Sequence, residues 1–224
     1  MDFKKYILDH PQKAKIFLHI YNGVFGRNKK NINRENKLDI QSAYCSRTKI
    51  YVHGKGNTIY IGNAVRLMNC SIYISGNNNL VEISDNVSLN QAEFHIEDNE
   101  NKIIIGKGTS VTGKTHFAAI ESTSITIGED CMFANDIHFR TGDSHSLVDL
   151  SGKRINYSKD IVIENHVWVG MNVICLKGTT VKSNTMIGAG SLLNGEYSSE
   201  NCILAGSPAR IVKNNINWLR ERVL

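Results

Sequence analysis

Between Ile163 and Leu193 an apolar or near-apolar residue returns every six positions: Ile163, Val169, Cys175, Val181, Ile187, Leu193. Turn-forming pairs such as Glu164-Asn165 and Lys182-Ser183 follow several of them. A period of six fits neither a helix, which repeats at about 3.6, nor an array of hairpins. It fits short strands separated by corners and wound into a solenoid, the hexapeptide β-helix. The expected fold class is therefore all-β.

Upstream the same ruler carries a larger corner. Ile-x-Ile/Val pairs end at Ile61, Ile83, Ile105 and Ile127, each 22 residues after the last. Within each unit a hexad survives, as in Ile61 to Leu67 and Ile105 to Val111. The four remaining residues are corner material, as in Gly76-Asn-Asn-Asn79. These units read as 18-residue triangular coils with one enlarged corner, their apolar side chains stacking inward from coil to coil. A right-handed solenoid of 22-residue coils is the alternative for this half alone, and the strict hexads after Ile163 decide against it.

The ruler then breaks. Ile163 lies 36 residues after Ile127, one 22-residue coil plus 14 extra residues. The excess falls within residues 140–160, a polar stretch holding His145 between Asp143 and Asp149. Insertions in a repeat protein project as loops from one face, often the functional one. An imidazole titrates near neutrality and can take a proton from a weak nucleophile such as a hydroxyl. His145 is thus the leading candidate for catalysis.

The flanks lack the repeat. In residues 1–36, Phe3, Tyr6 and Ile7, then Ile16, Phe17, Ile20, Tyr21 and Val24, fall at helical spacing on two segments broken near His10-Pro11. They read as a cap or subunit contact, because a solenoid end exposes unpaired strand edges. The polar run Gly26–Lys37 reads as a linker, and residues 37–205 as the solenoid. Residues 206–224 read as a closing segment followed by a helix over 215–224, with Trp218 and Leu219 packing back.

Composition narrows the function classes. The chain has 224 residues and a net charge of +5, a weak preference for anionic ligands that does not by itself indicate nucleic acid. No apolar run approaches the roughly 20 residues of a membrane span. The N-terminus has no signal-peptide pattern, and five Cys without paired spacing point to reduced thiols, so a cytoplasmic location is expected. His116 and His138, 22 apart, should stack on successive coils and wall the cleft, with Phe94 in the equivalent place one coil earlier. Zinc there would need further ligands that the spacing does not supply, so no metal is expected. No Cys sits beside His145 to act as a nucleophile.

Together the hexads, the looped-out RTGDSHSLVD, the run NHVWVGMNVICLKGTTV and the ending AGSPARIVKNNINW resemble the hexapeptide-repeat acyltransferases. The likeness covers about residues 50–218 and points to bacterial O-acetyltransferases of capsular, polysialic or O-antigen polysaccharides. It implies a left-handed parallel β-helix and homotrimers with sites between subunits. It also implies acetyl-CoA as donor, a carbohydrate acceptor, and the loop histidine, here His145, as general base in a direct ternary complex. Trp168, expected to point outward, would shape the acetyl or acceptor pocket, and either Asp143 or Asp149 would orient the imidazole. Gly170, Gly188 and Ala189 would line the pantetheine arm, and Arg210 and Lys213 would meet the nucleotide phosphates. An oxyanion donor is expected from backbone near Trp168–Gly170. Lys114, His116, His138 and Arg140 are possible acceptor contacts. Ser146 departs from the pattern, since several relatives place Pro after the histidine. Two other readings stay open: an N-acetyltransferase acting on an amino nucleotide-sugar, and a silent β-solenoid serving as a binding or structural module.

Overall fold

The computed structural model describes residues 9–223. The chain winds into a left-handed parallel β-helix of triangular section. Its three faces are sheets of eight, eight and nine strands, parallel except for the last strand of the third, and are named A, B and C in the order in which each coil visits them. Face A runs from Lys29–Asn31 through Ser71–Ser75 and Ile137–Arg140 to Leu192–Leu193. Face B runs from Lys37–Ile40 to Glu196–Tyr197, and face C from Tyr44–Ser46 to the closing hairpin.

The hexad residues point inward, as their period requires. Ile61, Ile83, Ile105, Ile127, Ile163 and Val181 stack at face B and are buried. Behind face A, Phe94, Phe117 and Phe139 stack with ring centroids 5.2 and 5.1 Å apart. Such stacking removes large apolar areas from water, about 25 cal/mol per Å². The register at this place differs from a uniform 22-residue count: Glu93, not Phe94, pairs with His116, and Phe94 pairs with Phe117. One more residue separates Val111 from Thr115 than separates Leu89 from Ala92, and the next corner takes it back.

The coil turns where the backbone enters the left-handed region. One corner column, Ala64, Asn86, Gly108, Asp130, His166 and Asn184, has φ between 53° and 74° throughout. Asn and Asp tolerate that conformation well, so glycine is needed in few places. The enlarged corner between faces A and B is held differently, by a ladder of buried asparagines. Asn57 Oδ1 accepts from the backbone N–H of Asn79 at 2.9 Å, Asn79 Oδ1 from that of Asn101 at 2.8 Å, and Asn101 Oδ1 from that of Thr123 at 3.0 Å. Each rung satisfies a buried donor that the ordinary ladder does not reach.

Two expectations about the flanks change. The run Gly26–Lys37 is no linker: Lys29–Asn31 pairs with Lys49–Tyr51 and opens face A, so the solenoid starts before residue 37. Helix α1 (Pro11–Val24) begins at the proline, whose fixed φ suits a first turn. It rests Ala14 and Leu18 against Ala64 and Tyr21 against Tyr44, which makes it a partial cap. The segment with Phe3, Tyr6 and Ile7 lies outside the described residues. The expected C-terminal helix is absent. Instead Cys202–Gly206 and Ala209–Asn214 form an antiparallel hairpin on face C, and the tail runs on as an extended strap. Ten residues are too few for a stable lone helix, and the strap gains fixed contacts on successive corners. Among the described residues, no helix is long and apolar enough to cross a membrane.

Candidate active site

The inserted loop leaves the solenoid at the A/B corner, the same corner that carries the asparagine ladder. It begins after Arg140 and rejoins face B at Ile161. The ladder's last rung lies at its root: Thr123 Oγ1 donates to Thr141 Oγ1 at 2.6 Å, and Thr141 Oγ1 accepts from the N–H of Ile120 at 3.1 Å. The loop then folds onto its own corner. Arg154 pairs with Glu121 one coil below at 2.7 Å, and Ser158 Oγ donates to the same carboxylate at 2.7 Å. Asp143 pairs with Lys177 one coil above.

Asn156 ties these contacts to the histidine. It is buried, and its Nδ2 donates to Asp143 Oδ2 at 2.8 Å and to the carbonyl of His145 at 2.7 Å. Its Oδ1 accepts from the N–H of Leu147 at 2.8 Å. The backbone on both sides of His145 is thereby fixed, while the imidazole is exposed and has no hydrogen-bond partner within the described chain. Residue composition singled out His145; nothing in the sequence pattern marked Asn156, because a keystone asparagine looks like any loop asparagine.

Neither expected aspartate orients the imidazole within this chain. The Asp143 carboxylate is held below its usual range by Lys177 and then by Asn156. Asp149 caps its own turn, accepting from Ser151 Oγ at 2.6 Å and the N–H of Lys153 at 3.0 Å, which lowers its pKa too. Glu121, which the sequence reading passed over, is the most strongly shifted carboxyl of the loop base. Arg154 and then Ser158 hold it down to about 2.

The other candidates fall into three places. His116, His138 and Arg140 stand on face A below the loop, His116 and His138 with ring centroids 6.0 Å apart, and Arg140 reaches Ser144 at 3.4 Å. Lys114 is exposed at the corner leading into face A. Burial, chiefly, lowers the pKa of His116. Trp168 faces outward on face C between Met132 and Met186, half-buried, as its place before Val169 requires. In a triangular coil the A/B edge lies opposite face C, so His145 and Trp168 do not wall one cleft within a single chain.

Gly170, Gly188 and Ala189 sit at or beside the C/A corner. A Cβ on Gly170 would come within 2.7 Å of the backbone nitrogen of Ala189, so close coil stacking already explains that glycine. The N–H groups of Trp168 and Gly170 donate to Thr185 O and Ile187 O at 2.9 and 2.8 Å. Neither of these two groups is free to bind an oxyanion. Ala189 is exposed, and Arg210 and Lys213 project from the closing hairpin without a carboxylate partner among the described residues. An exposed backbone ledge beside two unpaired cations fits a ligand with an extended amide arm and phosphates.

Trp218 packs back as expected, and the strap adds His166, Asp130 and Arg220, which the sequence did not single out. Trp218 is buried, its ring stacked on His166 at 4.1 Å and standing 6.2 Å from Trp168, and its Nε1 donates to the carbonyl of His166. His166 Nδ1 lies 2.7 Å from Asp130, and Arg220 binds the same carboxylate at 2.8 Å. The spacing of Asp130 and His166 equals that of Ile127 and Ile163, so the interrupted ruler already put them in one column. All five cysteines are buried and free. Burial pushes the Cys45 thiol up to about 12 and the Cys131 thiol up to about 11, which removes these two as nucleophiles at neutral pH.

The solved structure of the polysialic acid O-acetyltransferase OatWY matches with a TM-score of 0.80 at 34% identity, over 88% of this chain and 92% of that one. The chain belongs to the hexapeptide-repeat acetyltransferases. Among curated members, the Polysialic acid O-acetyltransferase of Escherichia coli O1:K1 / APEC is 40% identical over 82 residues, 36% of this chain and 26% of that protein. Its namesake from Neisseria meningitidis is 38% identical over 83 residues, 37% of this chain and 39% of that protein. The matched stretches thus span well under half of those curated relatives. No protein-family model matches the chain.

Proposed function

We propose that this hexapeptide-repeat acetyltransferase moves an acetyl group from acetyl-CoA to a sugar hydroxyl of a bacterial surface polysaccharide, with polysialic acid as the leading acceptor. The observation that carries the reading is His145: an exposed imidazole with no partner, on a backbone pinned by Asn156, in a chain that matches OatWY along nearly its whole length. A general base must be fixed in place yet keep a ring nitrogen open, and this arrangement meets both needs.

Acetyl-CoA supplies an acetyl group activated as a thioester. His145 takes the proton of the acceptor hydroxyl as its oxygen bonds to the acetyl carbon, and returns that proton to the departing thiol sulfur as the C–S bond breaks. No cysteine or serine of the chain is acylated. Arg210 and Lys213 meet the phosphates, and Ala189 with Gly188 supports the pantetheine arm. Asp143 contributes through Asn156 and the loop backbone.

The site is completed between subunits of a homotrimer, where the loop of one copy meets the Trp168 face or C/A corner of the next. Two features support this. His145 and Trp168 lie on opposite sides of one coil, and Ile16, Phe17, Ile20 and Val24 expose a continuous apolar stripe on helix α1. A cytoplasmic location follows from the need for acetyl-CoA. Purified protein incubated with acetyl-CoA and a glycan panel should release free thiol with polysialic acid. Turnover of an amino nucleotide-sugar alone would favour N-acetylation, and absence of thiol release with every acceptor would overturn the enzyme reading. Arg210→Ala with Lys213→Ala should raise the KM for acetyl-CoA several-fold at little-changed kcat.

A further inference from the structure

Face A carries a run of polar rings that ends where the loop begins. His53, Tyr73, His95, His116 and His138 project outward from five successive strands, with centroid separations of 5.9, 5.0, 6.1 and 6.0 Å. Four of the chain's eight histidines belong to this run of rings, which crosses face A obliquely: His53 lies two residues beyond Tyr51, the register partner of Tyr73, and His116 pairs with Glu93, two residues before His95. Beyond His138 the same register position passes to Ile174 and then Leu192, and the polar run stops. The coil at which it stops is the one that sends out the His145 loop.

Tyr73 and His95 stack within 20° of parallel, while the other neighbouring rings are tilted against each other by 32° to 55°. An edge of imidazole or phenol offers hydrogen-bond donors and acceptors. Few of these are used within the protein. His95 Nε2 meets Glu97 at 3.1 Å, while Nδ1 of His116 is buried without a partner, an arrangement that costs stability. Lys29 and Lys49 stand exposed at the lower end of the face and Arg140 at the upper end, with Glu93 and Glu97 between them.

We propose that this run of rings is an extended binding track for a polymeric glycan acceptor, which climbs face A obliquely from strand to strand and delivers a hydroxyl to His145 at its upper end. The proposal rests on the acetyltransferase reading and names the form of its acceptor. A surface with one polar edge per coil suits a polymer with one polar unit per comparable length, and a sugar ring spans about one coil of roughly 4.8 Å. The end cations suit carboxylates on such a chain. The apolar continuation at Ile174 and Leu192 sets the upper limit of the track and leaves the loop as the place where the polymer is presented.

The test uses the full chain with acetyl-CoA and two acceptors, long polysialic acid and its short oligomers, in wild type and in the double variant Tyr73→Ala/His95→Ala. The expected result is that wild type prefers the long polymer in kcat/KM, and that the variant lowers the ratio of long to short by about tenfold. An unchanged melting temperature shows that the variant is folded. Equal treatment of long and short acceptors by wild type, or an unchanged ratio in the folded variant, would overturn the track. If neither acceptor turns over, titration calorimetry with the long polymer alone separates the two ideas. Binding that the variant loses keeps the track and rejects the acetyltransfer assignment; no binding rejects both.

Discussion

The two halves of the solenoid solve the A/B corner in different ways. Before the loop, coils of 22 residues widen that corner by four residues and line it with the ladder Asn57, Asn79, Asn101. After the loop, coils of 18 residues close it with a tight turn through Lys177–Thr179, and no asparagine rung is needed. The loop with His145 occupies the same corner at the boundary between the two regimes. Its root continues the ladder in altered chemistry, with Thr123 in the next rung's place and hydrogen-bonded to Thr141 at the start of the loop. The candidate site is therefore an enlarged corner grown larger, and its support is inherited from the half below it.

The contrast is tested most strongly at the tip of the loop. His145→Ala should lower kcat by about 10²–10⁴ and leave the melting temperature unchanged, because the imidazole holds nothing in place. A rate near wild type would remove His145 from the mechanism. A large loss of stability would mean that the loop supports the coils, contrary to the dependence described here.

Two asparagines sharpen the comparison, since one serves the loop and the other the corner. Asn156→Ala should lower kcat by about one to two orders of magnitude through loss of positioning, with the KM for acetyl-CoA little changed. Asn79→Ala should leave the backbone N–H of Asn101 buried without an acceptor and destabilise the fold by about 1–3 kcal/mol, with kcat held at temperatures below the melt. Kinetics and thermal melts of the two variants should thus show opposite signatures. If Asn79→Ala affects activity more than stability, the ladder communicates with the site more directly than the corner geometry implies.

How much of this was legible beforehand divides along the same line. Periodicity located the coils, the inward residues and the loop, because a repeat constrains every sixth position and an insertion shows up as a misfit. The ruler failed where its count was locally wrong: one shifted residue made Phe94, rather than Glu93, look equivalent to His116. It was silent on Asn156, Glu121 and Lys177, whose roles depend on how a non-repeating loop folds back. The tail was misread for a physical reason as well. Trp218 and Arg220 have helix-compatible neighbours in sequence, but their strongest partners, His166 and Asp130, lie in a distant corner column that holds the tail extended.

The smallest expected effect is a local one at acid pH, and its sign follows from Glu121. Its ordinary carboxyl value of 4.5 is depressed to about 2 by Arg154 and then by Ser158. A depressed folded pKa contributes stability that is complete above the unfolded value and is lost as pH falls through the folded one. Loop anchorage by Glu121 should therefore be intact above about pH 4.5 and weaken progressively toward pH 2. The pair is partly exposed, so the contribution is modest and screened by salt. Limited proteolysis by pepsin between pH 4.5 and 2 should cut within 141–160 increasingly as pH falls, while far-ultraviolet circular dichroism still reports the coils. Glu121→Gln should cut readily at pH 4.5 already, and flatten that dependence. Equal protection of wild type and variant across the range would show that Asp143–Lys177 and Asn156 hold the loop alone, leaving the corner below it dispensable for the site.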